Sequence, residues 1–211
     1  MKLIYLHQYY NSLSEPGPHR SAYLASSLSK AGWDVQVITS GKAQIKRTEI
    51  KNNPNVHYLP VRYNQKMNYF RRSIAFVYFM ILGTFKVISL GKSDILYASS
   101  TPLSVGVMAV LMKYIRGQKY VFEVRDVWPE AVIAIGAVKS KIMQKWLYFQ
   151  ERIIYKNADY IVPLSTDMQK SIVERFPKFT NKTNVVIENI SEVDRFQSPK
   201  VVLAEPPIKP I

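Results

Sequence analysis

Arg125, Asp126, Trp128 and Glu130 follow directly on the β-forming run Tyr120-Val121-Phe122-Glu123-Val124, with Pro129 set among them. Proline cannot continue a central strand, so a strand ends here and hands charged groups to its C-terminal edge. In an open α/β sheet that edge is where ligands bind. A guanidinium such as that of Arg125 can clamp a carboxylate, a phosphate or a sugar diol. Asp126 can accept a proton or a hydrogen bond from a substrate hydroxyl. The indole of Trp128 can stack on the face of a sugar ring. The chemistry indicated is recognition of a polar, ring-shaped substrate, with Asp126 as the candidate catalytic group. The competing arrangement is internal: Arg125 paired with Asp126 or a glutamate, and Trp128 in the core.

Other stretches offer groups to the same kind of edge. Glu15 to Arg20 joins a first strand to a first helix; Gly17 permits close backbone approach, and the free N–H groups of a helix start suit a phosphate or carboxylate. His19 and Arg20 place cations there against the helix dipole, an arrangement that an anion would relieve. Ser99, Ser100 and Thr101 end a strand and either cap the next helix or face the crevice. Thr166 reads as a helix cap, which leaves Ser165 free to face the crevice, and Glu188 and Asn189 close the last strand at that edge. Gly91-Lys92-Ser93 imitates the end of a phosphate-binding loop, but the earlier glycine is missing and the segment precedes a strand.

The elements that must position these groups follow from periodicity and punctuation. Strands are expected over 2–7, 34–39, 56–61, 94–98, 119–124, 160–163 and 184–188. Helices are expected over 19–31 (Tyr23, Leu24 and Leu28 buried, Gly32 the stop), 103–116, 139–156 and 166–176. Residues 40–55 read as a basic, mobile loop. Strand and helix alternate throughout, which predicts an α/β fold: a doubly wound, mostly parallel Rossmann-like sheet with helices on both faces. That domain is expected over 1–196, and the proline-rich 197–211 reads as an interdomain linker.

The chain has 211 residues, 47% of them hydrophobic, with no cysteine and a net charge of +14. Disulfides and thiolate metal sites are excluded, and His7, His19 and His57 lack the spacing of a zinc site, so no metal is expected. The charge should attract polyanions. The apolar run after Lys2 is too short for a signal peptide, which points to the cytoplasm. Residues 66–90 are apolar nearly all round, interrupted by Gly83 and Lys86; Tyr69, Phe70, Phe76, Tyr78 and Phe79 beside Arg71 and Arg72 suit a membrane–water boundary. A core helix that touches the membrane at one end reconciles these features. No nucleic-acid motif is present.

Leu6-His7-Gln8-Tyr9-Tyr10, Ala25 to Thr39, Ala98 to Leu103, Phe122 to Glu130, Leu164-Ser165 and Val186 to Phe196 together resemble the N-terminal domain of retaining, family-four glycosyltransferases of the GT-B fold. Within that family the chain is most similar to bacterial capsule and O-antigen amino-sugar transferases. The resemblance implies transfer of a sugar from a nucleotide-diphosphate donor to a lipid-linked oligosaccharide at the inner face of the cell membrane. It implies no cofactor, and acceptor binding by this half with a separate C-terminal donor-binding domain. The chain departs from the family pattern at Pro16-Gly17-Pro18, where a glycine-rich turn is usual, and at Glu188-Asn189-Ile190, where proline-asparagine-glycine is usual. The alternatives are a nucleotide-sugar epimerase of GT-B architecture and a non-catalytic module docking a polysaccharide complex to the membrane.

Overall fold

The computed structural model describes residues 1–13, 17–41, 54–63 and 67–189. The strands are β1 (Lys2–Leu6), β2 (Asp34–Ser40), β3 (Asn55–Leu59), β4 (Ile95–Ser99), β5 (Tyr120–Val124) and β6 (Tyr160–Pro163). The helices are α1 (Arg20–Lys30), α2 (Tyr69–Ser89), α3 (Ser104–Arg116), α4 (Glu130–Ala134), α5 (Lys141–Asn157) and α6 (Thr166–Arg175), with a 3-10 turn at Pro177–Lys182. The six strands pair in the order β3-β2-β1-β4-β5-β6, and every pairing is parallel. Parallel strands need crossovers, and right-handed crossovers place α1 on one face of the sheet and α2, α3 and α5 on the other. The fold is the expected doubly wound, Rossmann-like parallel sheet with helices on both faces.

Each face has its own core. Ile4, Leu6, Ile38, Leu96, Phe122 and Ile161 point to the side covered by α2, α3 and α5. Leu3, Tyr5, Val35, Val37 and Tyr97 point to the α1 side. The buried stripe of α1 differs from the expected one: Ala22, Ala25, Ser26 and Ser29 are buried, whereas Tyr23, Leu24 and Leu28 are half-buried. The reason lies in the sheet. Tyr5 and Tyr97 stack at 5.0 Å between ring centroids beneath α1, and two aromatic rings leave room only for small helix residues.

The expected strand over 184–188 does not form. Pro177 starts the 3-10 turn, and the following segment keeps a single ladder-like bond, from the Ile187 N–H to the Pro163 carbonyl at 3.1 Å. β6 is therefore the sheet's edge, which its terminal proline tolerates. The helix over 139–156 begins at Lys141 with Ser140 as its cap, and the short α4 precedes it. α2 presents Ala75, Phe79, Gly83 and Val87, four residues apart, to the core. Phe79, expected at a membrane boundary, is thus wholly buried. By length and composition α2 could cross a membrane, but it is the crossover between β3 and β4 and lies along the sheet. Of the loop expected over 40–55, Ser40 belongs to β2 and Asn55 to β3, and 42–53 lies outside the described residues, as does the domain boundary at 196.

Candidate functional site

All six strand ends share one edge, and the chain's direction of travel across the sheet reverses between β1 and β4. Loops leaving a sheet at such a reversal diverge and open a crevice. A crevice of about 720 Å³ lies there, lined by His7 after β1, Thr101 after β4, Arg125 and Asp126 after β5, and Leu164 after β6. Tyr9, Asn11, Pro18, Tyr63 and Asn189 complete its walls.

The polar side of the crevice is held from beneath. His7 is buried, and its pKa falls to about 3, because burial penalises the imidazolium and the Arg125 guanidinium repels it. The ring is therefore neutral. A guanidinium has only donors, so Nη1 of Arg125 donates to Nε2 of His7 at 2.8 Å. The proton must then sit on Nδ1, which donates to Ser21 Oγ at 2.8 Å. The Arg125 backbone N–H donates to Ser100 Oγ at 2.9 Å, and Thr101 Oγ1 donates to Asp126 Oδ2 at 2.6 Å. Those two bonds stitch the loop after β4 to the loop after β5. They leave Asp126 exposed, with Oδ2 held by Thr101.

A second network forms the floor. Glu123 has no exposed surface; its Oε1 accepts from Arg20 Nε at 3.0 Å, Arg20 Nη2 at 2.9 Å and Tyr97 Oη at 3.1 Å. Ser99 Oγ donates to Glu123 Oε2 at 2.5 Å. Two further Arg20 donors reach the Ile187 carbonyl at 2.7 Å and the Glu188 carbonyl. Arg20 thereby fastens the segment leading to Asn189 onto the sheet.

Of the residues expected from sequence, the crevice brings together Thr101, Arg125, Asp126 and Asn189. The others are placed differently. Arg20, expected to meet a ligand anion, is buried against an internal one, Glu123. Ser99 and Ser100 serve Glu123 and Arg125, and no side chain caps α3, whose first residue comes later, at Ser104. Ser165 is itself the cap of α6, accepting from the Met168 N–H at 3.2 Å, so it does not face the crevice and Thr166 is not the cap. Trp128 is half-buried against the core, and Glu130 turns to Arg175 at 3.3 Å. Gly17 is exposed with a φ of +134° and abuts the Asn11 side chain. His19 stands at the N-cap position of α1 without capping it, its ring edge-on to Tyr23. Glu188 is exposed and contributes its carbonyl.

Sequence reasoning passed over His7, Tyr9, Asn11 and Tyr63. For His7 a signal existed: it is the first polar residue after β1, where the reversal lies. For Tyr63 none did, because its place depends on the path between β3 and α2. Tyr63 meets Tyr9 at 4.7 Å and stacks on Phe76 of α2 at 5.9 Å between centroids. The crevice's aromatic wall thus runs on into α2. A second hollow of about 580 Å³, between α6 and the 3-10 turn, has Lys170 as its one charged lining residue and lies away from the strand ends.

The sequence matches the family described as Glycosyl transferase 4-like domain over residues 17–189. No curated protein sequence matches it. Among solved structures it is similar to sucrose-phosphate synthase from Thermosynechococcus elongatus, with 12% identity and a TM-score of 0.60 over 89% of this chain and 46% of that one. It is similar to HepE from Anabaena in complex with UDP and glucose, with 13% identity and a TM-score of 0.55 over 95% of this chain and 47% of that one. It is also similar to UGT89C1 of Arabidopsis thaliana complexed with UDP, with 12% identity and a TM-score of 0.56 over 92% and 50% of the two chains. The chain spans about half the length of each of these structures.

Proposed function

The chain belongs to the glycosyl transferase 4-like family, and from that premise we propose that it forms the acceptor-holding wall of a glycosyltransferase. The transferase moves a sugar from a nucleotide-diphosphate donor to a lipid-linked oligosaccharide in bacterial surface polysaccharide assembly, of the capsule or O-antigen kind. It works in the cytoplasm, on the inner face of the membrane, and the donor is gripped by a separate C-terminal half. The observation that carries this reading is Asp126: an exposed carboxylate at the strand-end crevice, oriented by Thr101 and set beside a guanidinium that His7 holds in place.

In the reaction the acceptor hydroxyl attacks the anomeric carbon, the nucleoside diphosphate leaves with the electron pair of the bond that breaks, and the hydroxyl proton passes to the Asp126 carboxylate. Asp126 takes the hydrogen bond of that hydroxyl and aims its oxygen. Arg125 and Asn189 offer donors to the acceptor's own polar groups. Tyr9 and Tyr63 give it an aromatic wall, which continues to the half-buried Phe76 of α2 and suits a sugar ring. The proposed reaction uses neither cofactor nor resident metal, so EDTA should leave the rate of the complete transferase unchanged.

Calorimetric titration with a farnesyl-diphosphate-linked N-acetylhexosamine tests the reading. Losing a hydrogen bond to a charged group costs about 1.5–3 kcal/mol, so Asp126→Asn should bind roughly 10- to 100-fold more weakly. Glu130→Gln, whose partner is Arg175, should bind as the wild type does. Equal binding by wild type and Asp126→Asn would remove Asp126 from the site.

A further inference from the structure

The face of the molecule covered by α2, α3 and α5 carries large apolar side chains that the core does not use. On α2, Phe70 (74% exposed), Ile74, Val77, Ile81 and Phe85 (65% exposed) fall on one stripe, opposite the buried Ala75-Phe79-Gly83-Val87 row. On α5, Ile142 (82% exposed), Trp146 and Phe149 form a second stripe. α3 packs between the two helices and adds Leu111, Tyr114 and Ile115. Soluble monomers seldom leave so much contiguous apolar surface in water.

The charge on this face is one-sided. α2 and α3 contain no Asp or Glu, and the single acid of α5, Glu151, is wholly buried against Arg175. The bases, in contrast, are exposed: Arg71 on α2, and Lys141, Lys145, Arg152 and Lys156 flanking the apolar stripe of α5. A second copy of the chain would bring the same bases against each other. A surface that is both apolar and anionic satisfies both features, and a bilayer containing anionic lipid is such a surface.

We propose that the α2–α3–α5 face is a bilayer-docking surface, seated on anionic lipid with the stripes of α2 and α5 inserted and the flanking bases at the headgroups. The proposal deepens the membrane part of the reading above by naming the surface. α2 lies in the interface and does not span it, because its inner row is committed to the sheet. The ring contacts Tyr9–Tyr63 and Tyr63–Phe76 join the crevice to the N-terminal half of α2, the helix that carries one of the two stripes.

Vesicle flotation separates the possibilities, using the chain with phosphatidylcholine vesicles and with vesicles also containing phosphatidylglycerol. The wild type should float with the anionic vesicles, in part even at high salt, and with the neutral ones weakly. Ile142→Gln combined with Phe149→Gln should weaken partitioning by about tenfold, and so should Lys141→Glu with Lys145→Glu. All four side chains are exposed, so folding is preserved, and melting curves check it. Brominated lipid should quench fluorescence in the wild type and less in Trp146→Phe. Equal flotation of all variants would overturn the proposal. So would absence of flotation together with a self-association, seen by analytical ultracentrifugation, that the same variants abolish. Acceptor binding in detergent is measured separately, so failure of the membrane surface leaves the transferase reading standing, and the reverse.

Discussion

At the residue scale, two buried groups decide how the crevice is held, and each makes a different prediction. Arg20 and Glu123 are 4% and 0% exposed at their side chains and meet at 2.9 Å. Removing one partner strands the other charge inside the protein, at a cost of about 3–5 kcal/mol. Urea unfolding should show losses of that order for Arg20→Met and for Glu123→Ala, while Arg20→Met with Glu123→Gln should lose much less than their sum. Single losses below about 1 kcal/mol would mean that water reaches the pair. His7 predicts a pH dependence. Its pKa is lowered from 6.5 to about 3 on folding, so between those values the unfolded chain holds a proton that the native one does not. The stability His7 confers is complete above about pH 6.5 and drains away as the pH falls toward 3. His7→Gln keeps an acceptor for Arg125 and removes the titration. Its melting temperature should therefore fall less than that of the wild type between about pH 6.5 and pH 4; parallel curves would show that His7 takes up a proton at no cost.

At the element scale, close approach matters more than propensity. A Cβ on Gly106 of α3 would lie 2.7 Å from Ile154 Cδ1 and 2.8 Å from the Phe122 ring, both locked between α5 and the sheet. Alanine gains about 1 kcal/mol in helix propensity, whereas overpacking a fixed core costs about 1–3 kcal/mol. Gly106→Ala should therefore lower the melting temperature. A Cβ on Gly83 of α2 meets the methyl end of Met108, which can swing aside, so Gly83→Ala should be neutral or stabilising. If both variants lose stability equally, the Met108 side chain is as fixed as the sheet. The same contrast explains what the sequence disclosed. The six strands and the five longer helices announced themselves through hydrophobic runs and stops such as Gly32, and so did Arg125-Asp126 at a strand end. The inner stripe of α1 stayed hidden because it answers Tyr5 and Tyr97, which lie far from it in sequence. The run 184–188 has the residues of a strand, but the 3-10 turn that precedes it delivers it past the edge of β6. Ser165 and Thr166 are adjacent hydroxyls, and only the backbone angles at the start of α6 choose between them. Tyr63 joins the crevice through tertiary contacts that leave no local pattern.

At the scale of the whole fold, the described residues build one wall of the crevice, and that sets what they can do by themselves. Asp126 lies open to water, and a donor activated beside open water is exposed to hydrolysis as much as to the acceptor. A leaving diphosphate also needs fixed donors aimed at its developing charge. Here the buried cation is already engaged: Arg20 gives four of its five N–H donors to Glu123 and two carbonyls, and Arg125 spends one donor on His7. The chain should bind acceptor without turning over donor. Mass spectrometry of a mixture containing a UDP-N-acetylhexosamine and the farnesyl-linked acceptor should find neither elongated acceptor nor free sugar. Elongated acceptor should appear when a donor-binding half of the same family is supplied as a separate polypeptide, and should be lost again with Asp126→Asn. Transfer or hydrolysis by this chain unaided would show that one wall suffices. A donor returned with an inverted stereocentre and the acceptor untouched would replace transfer with epimerisation as the chemistry of this crevice.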